Sequence, residues 1–324
     1  MILVTGAAGF IGSYLAREIL AEAGPDSLLL CDTQEAWDAD RRCARVLRQA
    51  GIRFRPFESL EADSDRDFEG ITGIFHMGAS SRTDEMREDY LARMNVGFTQ
   101  LLWRRATRLA VPFVYASSAS TYGAGEEGYS DDPARVPRLS PLNPYGWSKQ
   151  RFDLWALAEV AAGRHPPRWA GLKFFNVYGP GEDHKGSQGS VVHHARRQLE
   201  TLGLVKLFRS ERPEYADGEQ KRDFVYVGDC VRVARAVADG RVNSGLYNVG
   251  TGRARTWIDL VEAVGLAIGR EARIEFIDIP ASLRAHYQYF TEADLARLRG
   301  AGYGAPFTDL VEGVRRTFEE EARL

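Results

Sequence analysis

Tyr145 and Lys149 stand four residues apart in this 324-residue chain. That spacing is one helical turn, so a phenol and an ammonium share a face. A phenol with a pKa of about 10 is a poor base at neutral pH, but nearby positive charge favours the phenolate. The pair is then suited to moving a proton. Taken alone, the spacing fits any exposed helix; two other features give it meaning. Ser117 and Ser118 follow the apolar run Phe113 to Ala116, and a hydroxyl there can orient a reacting group. Ser118 is the expected neighbour of Tyr145, and Ser117 is its register alternative.

The second feature is at the N-terminus. Gly6, Gly9 and Gly12 form a GxxGxxG turn between a short apolar run and an amphipathic stretch. Missing side chains let backbone N–H groups approach a pyrophosphate at the positive end of a helix. Asp32 follows Gly12 by 20 residues, at the end of the next apolar run. Its carboxylate suits ribose hydroxyls and would repel a 2′-phosphate. A dinucleotide site is the expectation, and a bound nicotinamide cation would also favour the Tyr145 phenolate.

These residues need a scaffold that brings strand ends together. Residues 2–4, Leu28 to Cys31, Ile74 and Phe75, Phe113 to Ala116, and Leu172 to Phe175 read as strands, with helical stretches between several of them. Alternation of this kind implies an α/β, Rossmann-like, doubly wound parallel sheet. Residues just beyond strand ends matter most there. From residue 177 the pattern loosens, which suggests a smaller mixed α/β substrate-binding lobe. The expected domains are 1–176 with a returning segment near 225–255, and a lobe of 177–224 and 256–324. Gly245 to Gly250 reads as the returning strand, and helices are expected at Trp257 to Ile268 and Thr291 to Arg299.

Composition narrows the class. Hydrophobic content of 44% and charged content of 27% belong to an ordinary globule. A net charge of -3 from 42 cations and 45 carboxylates is too balanced to draw nucleic acid or anionic lipid, so no partner of either kind is expected. Cys31, Cys43 and Cys230 are widely spaced and lack a CxxC pair, against both a disulfide framework and a zinc site. The adjacent His193 and His194 are expected to point apart, so no metal is expected. The N-terminus lacks signal-peptide features and no apolar run is long enough for a membrane span; a cytoplasmic location is expected. Only five cations are lysines, at 149, 173, 185, 206 and 221.

Together the TGxxGxxG turn, the serine after a strand and the YxxxK pair resemble the extended short-chain dehydrogenase/reductase family, almost end to end. Four further stretches narrow the likeness: Phe174 to Pro180 (FFNVYGP), His184 to Ser187 (HKGS), Lys221 to Asp229 (KRDFVYVGD) and Tyr287 to Leu295 (YQYFTEADL). They resemble the ADP-L-glycero-D-manno-heptose 6-epimerase branch. That resemblance implies an isomerase that oxidises an ADP-heptose to a ketone and re-reduces it with a tightly bound, recycled NAD or NADP. Tyr145, Lys149 and Ser118 are the implied catalytic set, and Lys185 of HKGS is the implied acid/base on the opposite face.

The implied cofactor contacts are Gly6, Gly9, Phe10, Ile11, Gly12, Asp32, Thr33, Met77, Gly78, Ala79, Ser80, Ser81, Asn95, Tyr145, Lys149 and Val177. Asn95 is expected to support the catalytic loop rather than to react. The implied substrate contacts are Ser118, Asn176, Lys185, Ser187, His194, Phe208, Arg209, Arg222 and Tyr287. Arg222 can fork two hydrogen bonds to a diphosphate, with an ion pair to Asp223 as the plainer alternative. A homo-oligomer is the family expectation.

The chain also departs from the family pattern. A lysine usual after Asp32 is missing, which tips the expectation to NAD, with Arg41, Arg42 and Arg45 available for a 2′-phosphate. Ser80 to Glu85 is less rich in serine and threonine than usual and is expected to bring Arg82 and Asp84 near the sugar. Gln188 and Gly189 replace methionine and alanine. A 4-epimerase of the same ADP-heptose, serving secondary metabolism, is therefore the nearest alternative, ahead of another nucleotide-sugar epimerase or reductase. A dehydratase would need an acid pair beside the serine, which Ala119, Ser120 and Thr121 do not supply. A non-catalytic dinucleotide sensor has no use for the Tyr/Lys/Ser set.

Overall fold

A computed structural model describes residues 1–39, 41–62, 68–284 and 287–324. Seven strands form one all-parallel sheet: β1 (Ile2–Thr5), β2 (Leu28–Asp32), β3 (Arg53–Pro56), β4 (Gly73–His76), β5 (Phe113–Ser118), β6 (Trp169–Phe174) and β11 (Gly245–Val249). Their spatial order is β3-β2-β1-β4-β5-β6-β11. Between β6 and β11 lie β7 (Asn176–Tyr178), β8 (Val205–Phe208), β9 (Lys221–Arg222) and β10 (Phe224–Tyr226); β12 (Arg255–Thr256) and β13 (Ile274–Ile277) follow. These six pair outside the main sheet, β7 with β10 and β8 with β13 in parallel, and β9 with β12 antiparallel.

Apart from the edge strand β3 (Arg-Phe-Arg-Pro), the strands read as largely apolar runs because both faces are buried. Val4, Leu30, Val114 and Leu172 enter one core; Leu3, Leu29, Ile74 and Phe113 enter the other. The first face packs against helices α1 (Phe10–Ala23) and α5 (Val227–Ala238). The second packs against α2 (Phe98–Leu109) and α3 (Pro144–Ala161), with the fully buried Trp103 at its centre. His76 is sealed at this level: its ring nitrogens lie 2.7 Å from Thr5 Oγ1 and 2.9 Å from Thr99 Oγ1, joining β1, β4 and α2. Burial lowers its pKa to about 3, so it is neutral.

The smaller elements gather α4 (Val191–Leu202), α6 (Trp257–Ile268) and α7 (Leu310–Glu321). Helix α6 has the expected bounds, and Thr256 and Asp259 close its N-terminus in a reciprocal capping box. The expected helix over Thr291 to Arg299 is corrected: only Ala296–Gly300 is helical. The backbone ahead of it is engaged elsewhere. Thr291 N–H donates to Lys221 O at 3.2 Å and Ala293 N–H to the buried Asp223 carboxylate at 3.0 Å. Side-chain recruitment of this kind competes with helix formation.

Candidate active site

Strand order reverses between β1 and β4, and a cavity of about 200 Å³ opens there, lined by Gly6, Asp32, Thr33, Gly78 and Ala79 from the ends of β1, β2 and β4. The turn glycines are sterically required. Gly6 has φ +70°, and a Cβ on it would lie 2.5 Å from Gly78 N; a Cβ on Gly12 would lie 2.2 Å from Gly6 O. Gly9 is the N-cap of α1, with Phe10 and Ile11 in the first turn, so free N–H groups and the positive helix end face this crevice.

Asp32 accepts from the N–H of Ala8 and of Thr33, each at 2.8 Å. Burial pushes its carboxyl above the ordinary value, while those N–H groups and Arg41 oppose the shift. Its oxygens retain lone pairs for a ribose. The crevice therefore fits a dinucleotide. Of the three nearby arginines, Arg41 alone lines it, with Nη1 donating to Ala8 O at 3.1 Å.

A second cavity of about 310 Å³ brings together Ser81, Ser118, Tyr145, Asn176, Val177 and Lys185. Tyr145 is placed by the start of α3: the N-cap Asn143 accepts from Gly146 N–H at 2.7 Å and Pro144 occupies the first helical position. Lys149, one turn on, is buried and donates to Ala116 O at 2.8 Å, with Nζ 5.9 Å from the Tyr145 ring centroid. Burial lowers Lys149 to about 8, partly offset by Asp153, so it is an ammonium at neutral pH. Burial also raises the Tyr145 phenol, against a pull from Ser118. Desolvation, rather than the charge of Lys149, is the largest influence on this phenol.

The two serines separate clearly. Ser118 lines the cavity with Tyr145, whereas Ser117 is buried and donates to Asp153 at 2.7 Å. Asn95, in a π-helical turn (Ala92–Gly97) ahead of α2, also sits behind the cavity. Its Oδ1 accepts from Ser80 N–H at 2.8 Å, and its Nδ2 donates to Ser80 O at 3.1 Å and Ser148 Oγ at 2.9 Å. It thus ties the loop after β4 to α3 at Ser148, directly before Lys149. Met77 packs partly buried against the first core.

On another wall, Lys185 lies in the 3-10 turn Asp183–Gln188, ion-paired with Glu182 at 3.0 Å. Ser187 is exposed and outside the cavity lining; Gln188 and Ser190 line it instead. His194 is half-buried just beyond the lining, and the His193 and His194 rings meet edge to face at 5.7 Å rather than pointing apart. Arg82 and Asp84 are corrected too. They pair with each other on the exposed surface, and it is Thr83 that faces the cavity, with its hydroxyl 3.2 Å from Gln188 Oε1.

Trp257 also lines this cavity and begins a third group. Its Nε1 donates to Tyr287 Oη at 3.1 Å, and the buried Arg222 guanidinium lies 5.4 Å from the Trp257 ring and 5.5 Å from the Tyr287 ring, with Phe208 6.0 Å from Tyr287. Arg222 donates to the carbonyls of Lys221 and Gln288 and makes no pair with Asp223, whose carboxylate accepts from Thr251, Gly252 and Ala293. Arg209 is half-exposed and bound to Asp217 at 3.1 Å. Residues not foreseen from sequence include Ser120, Trp257, Phe224, Asp153, Lys173 and Glu182. Asp153 continues the Tyr145/Lys149 face by one more turn, a signal that the spacing carried.

A parallel sheet with a glycine-cradled crevice beside a Ser/Tyr/Lys cavity defines a class. The chain belongs to the NAD dependent epimerase/dehydratase family, whose sequence profile matches residues 2–250. It is 44% identical over 319 residues to the ADP-L-glycero-D-manno-heptose-6-epimerase of Nitratidesulfovibrio vulgaris strain DP4, covering 97% of this chain and 95% of that relative. The enzyme of that name from Fusobacterium nucleatum subsp. nucleatum is 40% identical over 331 residues, with 97% and 96% covered. Among solved structures, the Helicobacter pylori ADP-L-glycero-D-manno-heptose-6-epimerase superposes with a TM-score of 0.78 at 25% identity, covering 100% of this chain and 96% of that one. The UDP-glucose 4-epimerase of Thermus thermophilus, in complex with NAD, gives 0.75 at 25% identity, covering 99% and 98%. The protein is an enzyme of the isomerase class.

Proposed function

We propose that the protein inverts C6 of an ADP-activated glycero-manno-heptose. The observation that carries this reading is the convergence of Ser118, Tyr145 and Lys185 on one cavity beside the dinucleotide crevice. A bound nicotinamide dinucleotide supplies reversible hydride exchange with a sugar carbon. Ser118 orients the reacting hydroxyl, Tyr145 exchanges its proton with that oxygen, and Lys149 holds positive charge beneath the phenol. Once the ketone has turned, Lys185 exchanges the proton from the other side. Arg222, Trp257, Tyr287 and Phe208 take the nucleotide end.

NAD is the proposed cofactor, with the Asp32 carboxylate set against a 2′-phosphate. The names of the relatives support the ADP-heptose substrate. C4 inversion is the weaker reading: of the departures that favoured it, Arg82 and Asp84 pair with each other on the exposed surface, while Gln188 and Gly189 do line the cavity. We also assign the enzyme to a reducing cytoplasm, in keeping with the buried Cys31, Cys43 and Cys230, which form no disulfide among the described residues, and to a homo-oligomer. The test incubates purified protein, without added cofactor, with ADP-D-glycero-D-manno-heptose and reads proton couplings of the product. Inversion at C6, together with a loss of at least about 100-fold in Tyr145→Phe, is expected. Inversion at C4 or no turnover overturns the reading.

A further inference from the structure

Glu182 is a buried carboxylate ion-paired with Lys185. Its Oε2 accepts from Lys185 Nζ at 3.0 Å and from Ser190 N–H at 2.8 Å, and its Oε1 accepts from Gly179 N–H at 3.3 Å. Glu182 is 1% exposed, whereas Lys185 keeps 22% of its side chain exposed, toward the cavity it lines. The two backbone donors immobilise the carboxylate. Gly179 follows β7, and Ser190 is the N-cap of α4, so Glu182 is fixed at the junction of two elements. Its remaining acceptor capacity is directed at the ammonium. Phe10, the first residue of α1, completes the seat, with Lys185 Nζ 4.9 Å from its ring centroid. Lys185 is thus held between the dinucleotide helix and a buried counter-charge.

A lysine side chain has four rotatable bonds and loses reach and timing if it is free to swing. Epimerisation needs an acid/base on each side of the turning ketone, so a proton donor held off by about 1 Å is costly. We propose that Glu182 is the positioning residue of the Lys185 half-reaction: it sets where the Nζ proton is delivered and compensates the ammonium charge, without itself touching the sugar. This rests on the epimerase reading above. In that half-reaction the Nζ proton passes to the carbonyl oxygen as the carbon regains its hydrogen; in reverse, the hydroxyl proton returns to Lys185. Tyr145 performs the same exchange for the other epimer and has no contact with Glu182.

That division provides the test. Glu182→Gln keeps a carbonyl acceptor for Ser190 and removes the charge; Glu182→Asp keeps the charge on a shorter stem. Each purified variant is mixed separately with the two ADP-heptose epimers, and reduction of the bound nicotinamide is followed by its ultraviolet absorbance. Thermal melting and dinucleotide binding are recorded alongside. Glu182→Gln is expected to lose about 10- to 100-fold in the rate of cofactor reduction by the epimer that Lys185 serves, with the Tyr145 epimer near the unmodified rate. Glu182→Asp is expected to recover part of the loss. Equal losses with both epimers, or no loss with either, would overturn the positioning role. If unmodified protein reduces its nicotinamide with neither epimer, the epimerase reading fails first, and the proposal with it.

Discussion

Ser117 Oγ lies 2.7 Å from Asp153 Oδ2, deep beneath the cavity, in a cluster where Lys173 and Tyr115 meet the same carboxylate at 2.8 and 3.0 Å. This contact decides which of two adjacent serines can act. Ser117 is committed to a buried ion-pair network and Ser118 alone faces Tyr145. Ser118→Ala should lower kcat by about 100-fold with little change in melting. Ser117→Ala should cost about 1 kcal/mol of stability and leave kcat nearly intact. Steady-state kinetics paired with urea unfolding checks both, and the reverse pattern would reassign the serines.

Asn95 has both amide donors engaged, on Ser80 O and Ser148 Oγ, while its oxygen accepts from Ser80 N–H. Asn95→Ala should strand the buried Ser80 N–H and destabilise the fold by about 1–3 kcal/mol. Because the same amide holds the loop after β4 against α3, kcat should fall as well. Asn95→Asp keeps the acceptor for Ser80 N–H but sets a buried carboxylate oxygen against Ser80 O in place of the donor, so it too should lose stability and turnover in denaturation and kinetic assays.

Arg222 carries a buried guanidinium between two aromatic rings, and burial lowers its pKa. If it binds a diphosphate, its contacts are alike in ground and transition states, so Arg222→Ala should raise KM more than it lowers kcat. Lysine cannot reproduce the planar fork, and Arg222→Lys should recover little. A kcat effect at constant KM would remove Arg222 from nucleotide binding.

His76 predicts an acid-sensitive fold. Its folded pKa of about 3 lies below the ordinary 6.5, so between those limits the unfolded chain binds a proton that the folded one refuses. Stability from this group is whole above pH 6.5 and falls as pH drops through the window, by about 2 kcal/mol between pH 7 and 5. Urea unfolding at both pH values should show that loss. His76→Gln should start less stable and show a shallower acid slope by about that amount.

The sequence alone determined what local sterics and periodicity encode. Unbroken apolar runs predict strands covered on both faces, and the core residues of β1, β2, β4, β5 and β6 bear this reading out because a doubly wound sheet leaves neither face to water; the edge strand β3, Arg-Phe-Arg-Pro, carries no such run and was not legible. Gly6 and Gly12 were legible because backbone passes within 2.5 Å of where a side chain would start. The Tyr145/Lys149 face was legible because helical spacing is a property of the chain itself.

Tertiary structure alone decided which polar groups are used up. Thr291 to Leu295 has helical spacing, but Lys221 O takes the Thr291 N–H and the buried Asp223 takes the Ala293 N–H, each 70 residues away in the chain. Arg82 and Asp84 belong to a polar loop whose direction no periodicity fixes, and there they satisfy each other. Glu182 sits three residues before Lys185 in plain view, yet its meaning lies in its burial, with Gly179 and Ser190 donating to it and Phe10 of α1 seating the lysine it pairs with. Spacing places side chains on a face; only the packed chain determines whether a charge there meets water, a backbone donor or its counter-ion, and that sets its chemistry.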